Sequence, residues 1–170
     1  VIKEQLIAEK NGFPSIDILH PMYNIVKRQA EVEILPMSKT ENIGVISYSP
    51  LGGGLLTGKY SSVDSSNKNS LGRLHDNSKY KKRYGQNWMY DAANSLVNLA
   101  NDLDYDPIAL AVAWVSYNDA ITAPIISARN LKQLKPSLDS VEISLDQETY
   151  NLISNISPTP PPATDRLEEV

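Results

Sequence analysis

Apolar positions along the chain switch repeatedly between helical and strand spacing. Ile2, Leu6 and Ile7 share one face of a helix predicted over residues 2–10, and Gly12 supplies its stop. Beyond Pro14, the run Ser15-Ile16-Asp17-Ile18-Leu19 alternates as a strand does. A short link from His20 to Lys27 leads to a helix predicted over about 29–40. Val32, Leu35 and Lys39 mark one side of that helix, Asn42 and Gly44 end it, and Pro36 inside it predicts a bend or a shortening. Residues 44–49 (GVISYS) start almost wholly apolar, as expected of a strand buried on both faces. They run straight into Pro50-Leu51-Gly52-Gly53-Gly54.

Residues 61–86 are polar, rich in Ser, Asn, Lys and Tyr, and show no period, which predicts a long loop. A helix follows over 88–103, with Ala92, Leu96, Leu99 or Ala100, and Leu103 at three-to-four spacing. Trp88 and Tyr90 read as packing residues at its start. Asp106-Pro107 is an N-cap followed by proline at the first helical position. The helix it opens, 108–117, is apolar on every side and must be buried. Residues 121–126 read as a third strand interrupted by Pro124, residues 130–137 as a short helix, and Ser144-Leu145-Asp146-Gln147-Glu148 as the opening of a last one. The Pro-rich stretch from residue 157 onward, Pro158-Thr159-Pro160-Pro161-Pro162 above all, cannot continue a helix and is expected along the surface.

Strands alternating with helices at these spacings predict βα units and a parallel sheet, an α/β fold. Three parallel strands leave two open edges, whereas a closed (β/α)8 barrel needs about 250 residues. The chain therefore reads as part of a larger closed unit. Self-association through the open edges is the expected alternative way to cover them.

Bulk properties narrow the chemistry. At 170 residues, 41% hydrophobic and 21% charged, the chain can form one globular core. A net charge of −4 gives no overall attraction to nucleic acid or anionic membrane. The basic cluster Arg73, Lys79, Lys81, Lys82 and Arg83 lacks periodicity and reads as solvated. No apolar run approaches the roughly 20 residues of a membrane span. Zero cysteines and two histidines, His20 and His75, exclude disulfides, thiol chemistry and a multi-histidine metal site. The expected location is the cytoplasm.

The stretch most informative about function is GVISYSPLGGGLLTGKY, residues 44–60. A buried strand delivers Tyr48 to its C-terminal end, where parallel α/β folds bind ligands. The glycines after it let backbone N–H groups approach a ligand closely, and phosphate suits such a nest of amides. Their spacing fits neither GxGxxG nor GxxxxGK[ST]. On the glycines alone, a tight turn with Tyr48 as core filler is the simpler reading.

Four ordered motifs change that balance. The run from Tyr48 to Tyr60 resembles the aldo-keto reductase segment after the seventh barrel strand. His20-Pro21-Met22-Tyr23-Asn24, with Ala30-Glu31-Val32-Glu33-Ile34-Leu35-Pro36, resembles that family's stretch after strand six. The Ala-x-Ala-Trp pattern within 107–115 resembles its helix before strand eight, and residues 124–134 (PIISARNLKQL) resemble its late cofactor-binding motif. The likeness covers about residues 1–156 and implies the last three βα units of a (β/α)8 barrel that reduces aldehydes or ketones with NADPH.

By that resemblance, Tyr48 stacks on the nicotinamide, and Ser49, Leu51 and Gly53 present backbone or hydroxyl groups to the pyrophosphate. Lys59 supplies positive charge there, and Arg129 faces the adenosine 2′-phosphate, favouring NADP(H) over NAD(H). Guanidinium suits that dianion because it donates two parallel hydrogen bonds. Gln133 matches a further contact, and Arg73 lies in the loop that covers the cofactor in relatives. His20 stands where many relatives hold the carboxamide with glutamine, and Ser127 replaces a usual glycine. Pro136 and Ser137 replace an acidic residue and an asparagine at the adenine end, where proline is expected to end the helix early. The family's catalytic tyrosine, lysine, aspartate and histidine belong to the first half of the barrel, and no matching set occurs in this chain. Two expectations follow: a portion of a reductase that supplies cofactor contacts, or a shortened, non-catalytic protein that binds nucleotide or a partner.

Overall fold

The structure, a computed structural model, describes residues 1–60 and 73–162. Its elements run α1 (Ile2–Asn11), β1 (Ile18–Leu19), a 3₁₀ turn (Gln29–Glu31), α2 (Ile34–Thr40), β2 (Gly44–Ser47) and a 3₁₀ segment (Gly52–Thr57). Then come α3 (Arg73–Asp76), α4 (Ser78–Tyr84), α5 (Asn87–Asp102), α6 (Pro107–Tyr117), β3 (Ala123–Pro124), α7 (Leu131–Asp139), a 3₁₀ turn (Ser140–Glu142) and α8 (Gln147–Ser154).

The strands form a parallel sheet in the order β1-β2-β3. Ile18 pairs with Gly44 and Leu19 with Val45, while Ile46 pairs with Ala123 and Ser47 with Pro124. Pro124 is tolerated because the ladder steps around it. Thr122 N–H donates to the Val45 carbonyl at 2.8 Å, and Ile125 N–H reaches the Ser47 carbonyl at 2.7 Å in place of the donor Pro124 lacks. Both β1 and β3 are edges of this sheet, and both are short.

One expectation about β2 is corrected. Its residues alternate between half-buried (Gly44, Ile46) and buried (Val45, Ser47), so it is covered on one face only among the described residues. On the other face Ile18, Ala123 and Ile125 are exposed. The apolar face of α1 is likewise exposed at Ile2, Leu6 and Ile7, and only Ala8 of that helix is buried.

Pro36 shortens its helix as expected, whereas Pro136 departs from expectation. The helix predicted over 29–40 is split ahead of Pro36, which sits in the first turn of α2. There its missing N–H is one that would have no intrahelical partner anyway. Pro136 does not end its helix: α7 continues through it to Asp139 and passes into a 3₁₀ turn. The predicted polar loop also needs correction, because residues 73–84 carry α3 and α4. Asn77 caps α4 by accepting from Lys79 N–H at 3.0 Å. The rest of that loop, 61–72, lies outside the described residues, as do residues 163–170 of the C-terminal tail. Pro158 and Thr159 are exposed and unstructured.

The core is organised on α6. Asp106 accepts from Ile108 N–H at 2.7 Å, Pro107 takes the first position, and residues 109–115 are all buried. Trp114 stacks between Tyr23 and Tyr150, with centroids at 5.1 and 5.6 Å. Its indole N–H donates to Ser154 Oγ at 2.9 Å, and the Arg28 guanidinium lies 5.7 Å from its ring. Arg28 also donates twice to the Glu31 carboxylate and once to the Ser154 carbonyl, at 2.8–2.9 Å. Glu31 in turn accepts from Tyr23 Oη at 2.7 Å. Burial above all, with Tyr150 and Glu31 beside it, pushes the Tyr23 phenol well above its ordinary pKa, so it stays a neutral donor.

This network ties the segment after β1 to α6 and α8, and its ion pair is mostly buried. Arg28→Ala leaves Glu31 and the Ser154 carbonyl without that partner and is expected to destabilise the fold by about 3 kcal/mol. Urea denaturation followed by tryptophan fluorescence checks it, and a loss below about 1 kcal/mol would mean the pair is merely a surface contact.

Candidate functional site

Three segments leave the same, C-terminal, edge of the parallel sheet. His20 to Lys27 follows β1, Tyr48 to Tyr60 follows β2, and Ile125 to Gln133 follows β3. Parallel register makes this unavoidable: neighbouring strands that run the same way release their following segments on the same rim.

The first two segments are joined directly. Tyr48 N–H donates to the Pro21 carbonyl at 3.0 Å, and Tyr23 N–H donates to the Tyr48 carbonyl at 3.3 Å. The rings of His20 and Tyr48 meet edge to face, centroids 5.1 Å apart at 67°. Tyr48 is half-buried and His20 exposed, so the expected nicotinamide platform stands at the rim with an imidazole edge beside it.

Beyond Tyr48 the backbone enters a left-handed series. Ser49 has φ 59°, unusual for a residue with a side chain, and Gly52, Gly53 and Gly54 follow at 57°, 67° and 98°. Gly52 N–H donates to the Ser49 carbonyl, while Gly54 and Leu56 N–H both donate to the Leu51 carbonyl, at 2.9–3.2 Å. The alternate amides, those of Ser49, Leu51 and Gly53, find no acceptor among the described residues. These three positions are the ones at which the sequence predicted pyrophosphate contacts. Amides left unpaired in a left-handed turn are the donor set of an anion-binding nest.

Lys59 folds back over this turn, so that a Cβ placed on Gly54 would lie 3.0 Å from its Nζ. The ammonium also sits 4.9 Å from the centre of the Tyr60 ring. Gly53 is approached from its other side: a Cβ there would lie 2.6 Å from the ring of Tyr80 on α4. The bottom of the turn is apolar, with Leu55, Leu56 and Tyr84 fully buried.

At the third segment, Ser127 and Arg129 are exposed, and Arg129 makes no ion pair among the described residues. Asn130 caps α7 by accepting from Gln133 N–H at 3.0 Å, and Gln133 Oε1 accepts from Arg129 N–H at 3.2 Å. This reciprocal pair fixes the backbone beneath Arg129 while its guanidinium stays in solvent. It also occupies Gln133 Oε1 structurally. Ser137 is buried, and its carbonyl accepts from Ser140 Oγ at 2.7 Å. Arg73 begins α3, and its side chain lies outside what the structure describes. Lys79, Lys81, Lys82 and Arg83 are exposed along α4.

Sequence reasoning missed Asn24, Tyr80 and Tyr84, which pack on the glycine turn. The signal was present: Asn77 ahead of Tyr80 and Tyr84 at i, i+4 marks a capped helix with an aromatic face. Asn24 is wholly buried, and its Nδ2 donates to the Ser49 carbonyl at 2.9 Å. Among the described residues no group of three or more His, Asp or Glu is placed to hold a metal ion. Gly53→Ala combines a left-handed Cβ with a clash against Tyr80 and is expected to cost about 1–2 kcal/mol. Urea denaturation checks this, with hydrogen exchange over α4 rising if the clash displaces that helix.

The model of the Aldo/keto reductase family matches residues 3–158. The chain is 32% identical over 160 residues to the "Uncharacterized oxidoreductase YrpG" of Bacillus subtilis, covering 94% of this chain and 46% of that protein. It is 30% identical over 149 residues to the "Aflatoxin B1 aldehyde reductase member 2" of Mus musculus, covering 80% and 40% respectively. With the Escherichia coli "Protein tas" it shares 27% over 144 residues, 84% of this chain and 40% of that protein. The chain thus spans less than half the length of these relatives. A match across nearly its whole length, on a parallel sheet whose rim carries the glycine turn, places the chain in the aldo/keto reductase family.

Proposed function

We propose that the chain forms the cofactor-holding part of an NADP(H)-dependent oxidoreductase that reduces aldehydes or ketones. The observation that carries this reading is the trio of amides at Ser49, Leu51 and Gly53 without an acceptor among the described residues, with the Lys59 ammonium folded over the same turn. A pyrophosphate offers anionic oxygens for these donors and a counter-charge for the lysine. Tyr48, at the end of β2, offers an aromatic face on which a nicotinamide ring can stack, and His20 adds a polar group beside it. Arg129, without an ion pair among the described residues and mounted on the capped start of α7, suits a dianionic phosphate.

NADPH would supply the hydride. The chain's own groups would bind and orient it: amides and Lys59 at the pyrophosphate, Tyr48 and His20 at the ring, Arg129 at the 2′-phosphate. Gln133 would act mainly by fixing the backbone under Arg129. Ser127 stands on the same segment, and Ser137, being buried, would contribute through the shape of α7. The three parallel strands suit a (β/α)8 barrel, in which further strands would extend both edges and cover the exposed apolar face of Ile18, Ala123 and Ile125. The carbonyl substrate would then meet the cofactor at the rim. A cytoplasmic location fits a chain without cysteine, and none of its described helices is long and apolar enough to cross a membrane.

Titration of the protein with NADPH and NADH, followed by tryptophan fluorescence, tests this directly. Saturable NADPH binding is expected, with NADH weaker. Arg129→Ala should weaken NADPH by about 10-fold or more, the worth of a charge-assisted contact, and leave NADH nearly unchanged. Absence of NADPH binding, or equal loss for both nucleotides, would contradict the assignment.

A further inference from the structure

We infer that Asn24 and Tyr84 are positioning residues for the phosphate-binding turn, holding Ser49 in the left-handed conformation that leaves the Ser49, Leu51 and Gly53 amides free for an anionic ligand. The inference rests on the cofactor reading above and adds to it a device on two other elements.

Ser49 carries the backbone strain at the head of the turn. A residue with a Cβ at φ 59° is strained and persists only where its surroundings over-determine it. Its carbonyl accepts two hydrogen bonds, from Gly52 N–H at 3.0 Å and from Asn24 Nδ2 at 2.9 Å. The first belongs to the turn itself, and among the described residues the bond that holds this carbonyl from outside the turn comes from the Asn24 amide.

Asn24 is unusually well fixed. Its Oδ1 accepts from Val26 N–H at 3.1 Å, and its main chain exchanges two hydrogen bonds with Lys27, at 3.2 and 3.0 Å. The same Nδ2 donates to Tyr84 Oη at 3.4 Å, and that hydroxyl lies 3.2 Å from Met22 Sδ. Asn24 and Tyr84 are both at 0% exposure, so neither amide nor phenol can take water as a substitute partner. Burial raises the Tyr84 phenol above its ordinary pKa, which keeps it neutral and available as an acceptor. One amide therefore joins the segment after β1, the turn after β2 and the last residue of α4. A core of this size could be filled by apolar side chains. Placing Asn and Tyr there commits the Asn24 amide to one carbonyl and the Tyr84 hydroxyl to that amide, and the carbonyl belongs to the strained residue at the head of the anion nest.

A double-mutant cycle separates positioning from simple packing, because glycine adopts φ near 60° without strain. NADPH dissociation constants and thermal midpoints are measured for the protein carrying Asn24→Ala or Tyr84→Phe, each with Ser49 intact and with Ser49→Gly. With Ser49 intact, Asn24→Ala should weaken NADPH about 10-fold and Tyr84→Phe about 3-fold, the scale of one lost hydrogen bond each. In the Ser49→Gly background both effects should shrink to less than about 2-fold, since the strain they oppose is gone. Variants that bind NADPH as the parent does, or that lose affinity equally in both backgrounds, overturn the inference while the cofactor reading stands. A parent protein that does not bind NADPH overturns both. If Asn24→Ala fails to fold, the Tyr84→Phe pair, which keeps the buried ring, decides the matter alone.

Discussion

The left-handed turn after β2 does not satisfy all of its own amides among the described residues. After Ser47 the chain turns through Ser49, Gly52, Gly53 and Gly54 at positive φ, and alternate N–H groups are left without acceptors among the described residues. Unpaired backbone donors cost free energy unless water or a ligand takes them. The surrounding structure makes this turn persist: Asn24 clamps its carbonyl, Tyr80 and Tyr84 pack on its glycines, and Lys59 lies across it. The turn is thus a donor site maintained by its neighbours, and the proposed cofactor role follows from that.

Behind the turn stands a rigid frame. Helix α6 is buried over residues 109–115, and Trp114 anchors a stack of Tyr23, Tyr150 and Tyr117 that is fastened by Arg28 and Glu31. Tyr23 belongs to both worlds. Its ring is part of the core stack, while its N–H bonds the carbonyl of Tyr48. The aromatic core therefore fixes the rim through one residue, without a loop of its own in between.

Much of this was legible in the sequence, for identifiable reasons. The Asp106-Pro107 cap, the all-apolar run of α6 and the Gly12 stop of α1 are local signals, and the structure carries each of them. Tyr48 and the glycines could be placed at a strand end because β2 is short and strongly apolar. What stayed hidden depended on tertiary partners. The span 73–84 reads as polar loop because α4 exposes its lysines, and only Tyr80 and Tyr84 reveal its packed side. The reach of α7 through Pro136 was equally hidden, since a proline signals the missing donor but not whether the helix can continue past it. Asn24 was seen as part of a motif, yet nothing local tells that its amide bonds a carbonyl 25 residues away.

Backbone amide resonances, followed by ¹H–¹⁵N spectroscopy during addition of NADPH, test the central claim most directly. The amides of Ser49, Leu51 and Gly53 are expected to move downfield together and saturably as they gain phosphate acceptors, while those of Gly52 and Gly54, already bonded within the turn, move little. If NADPH leaves the three unmoved, or shifts amides elsewhere on the protein instead, the turn is not the phosphate-binding element and the account fails.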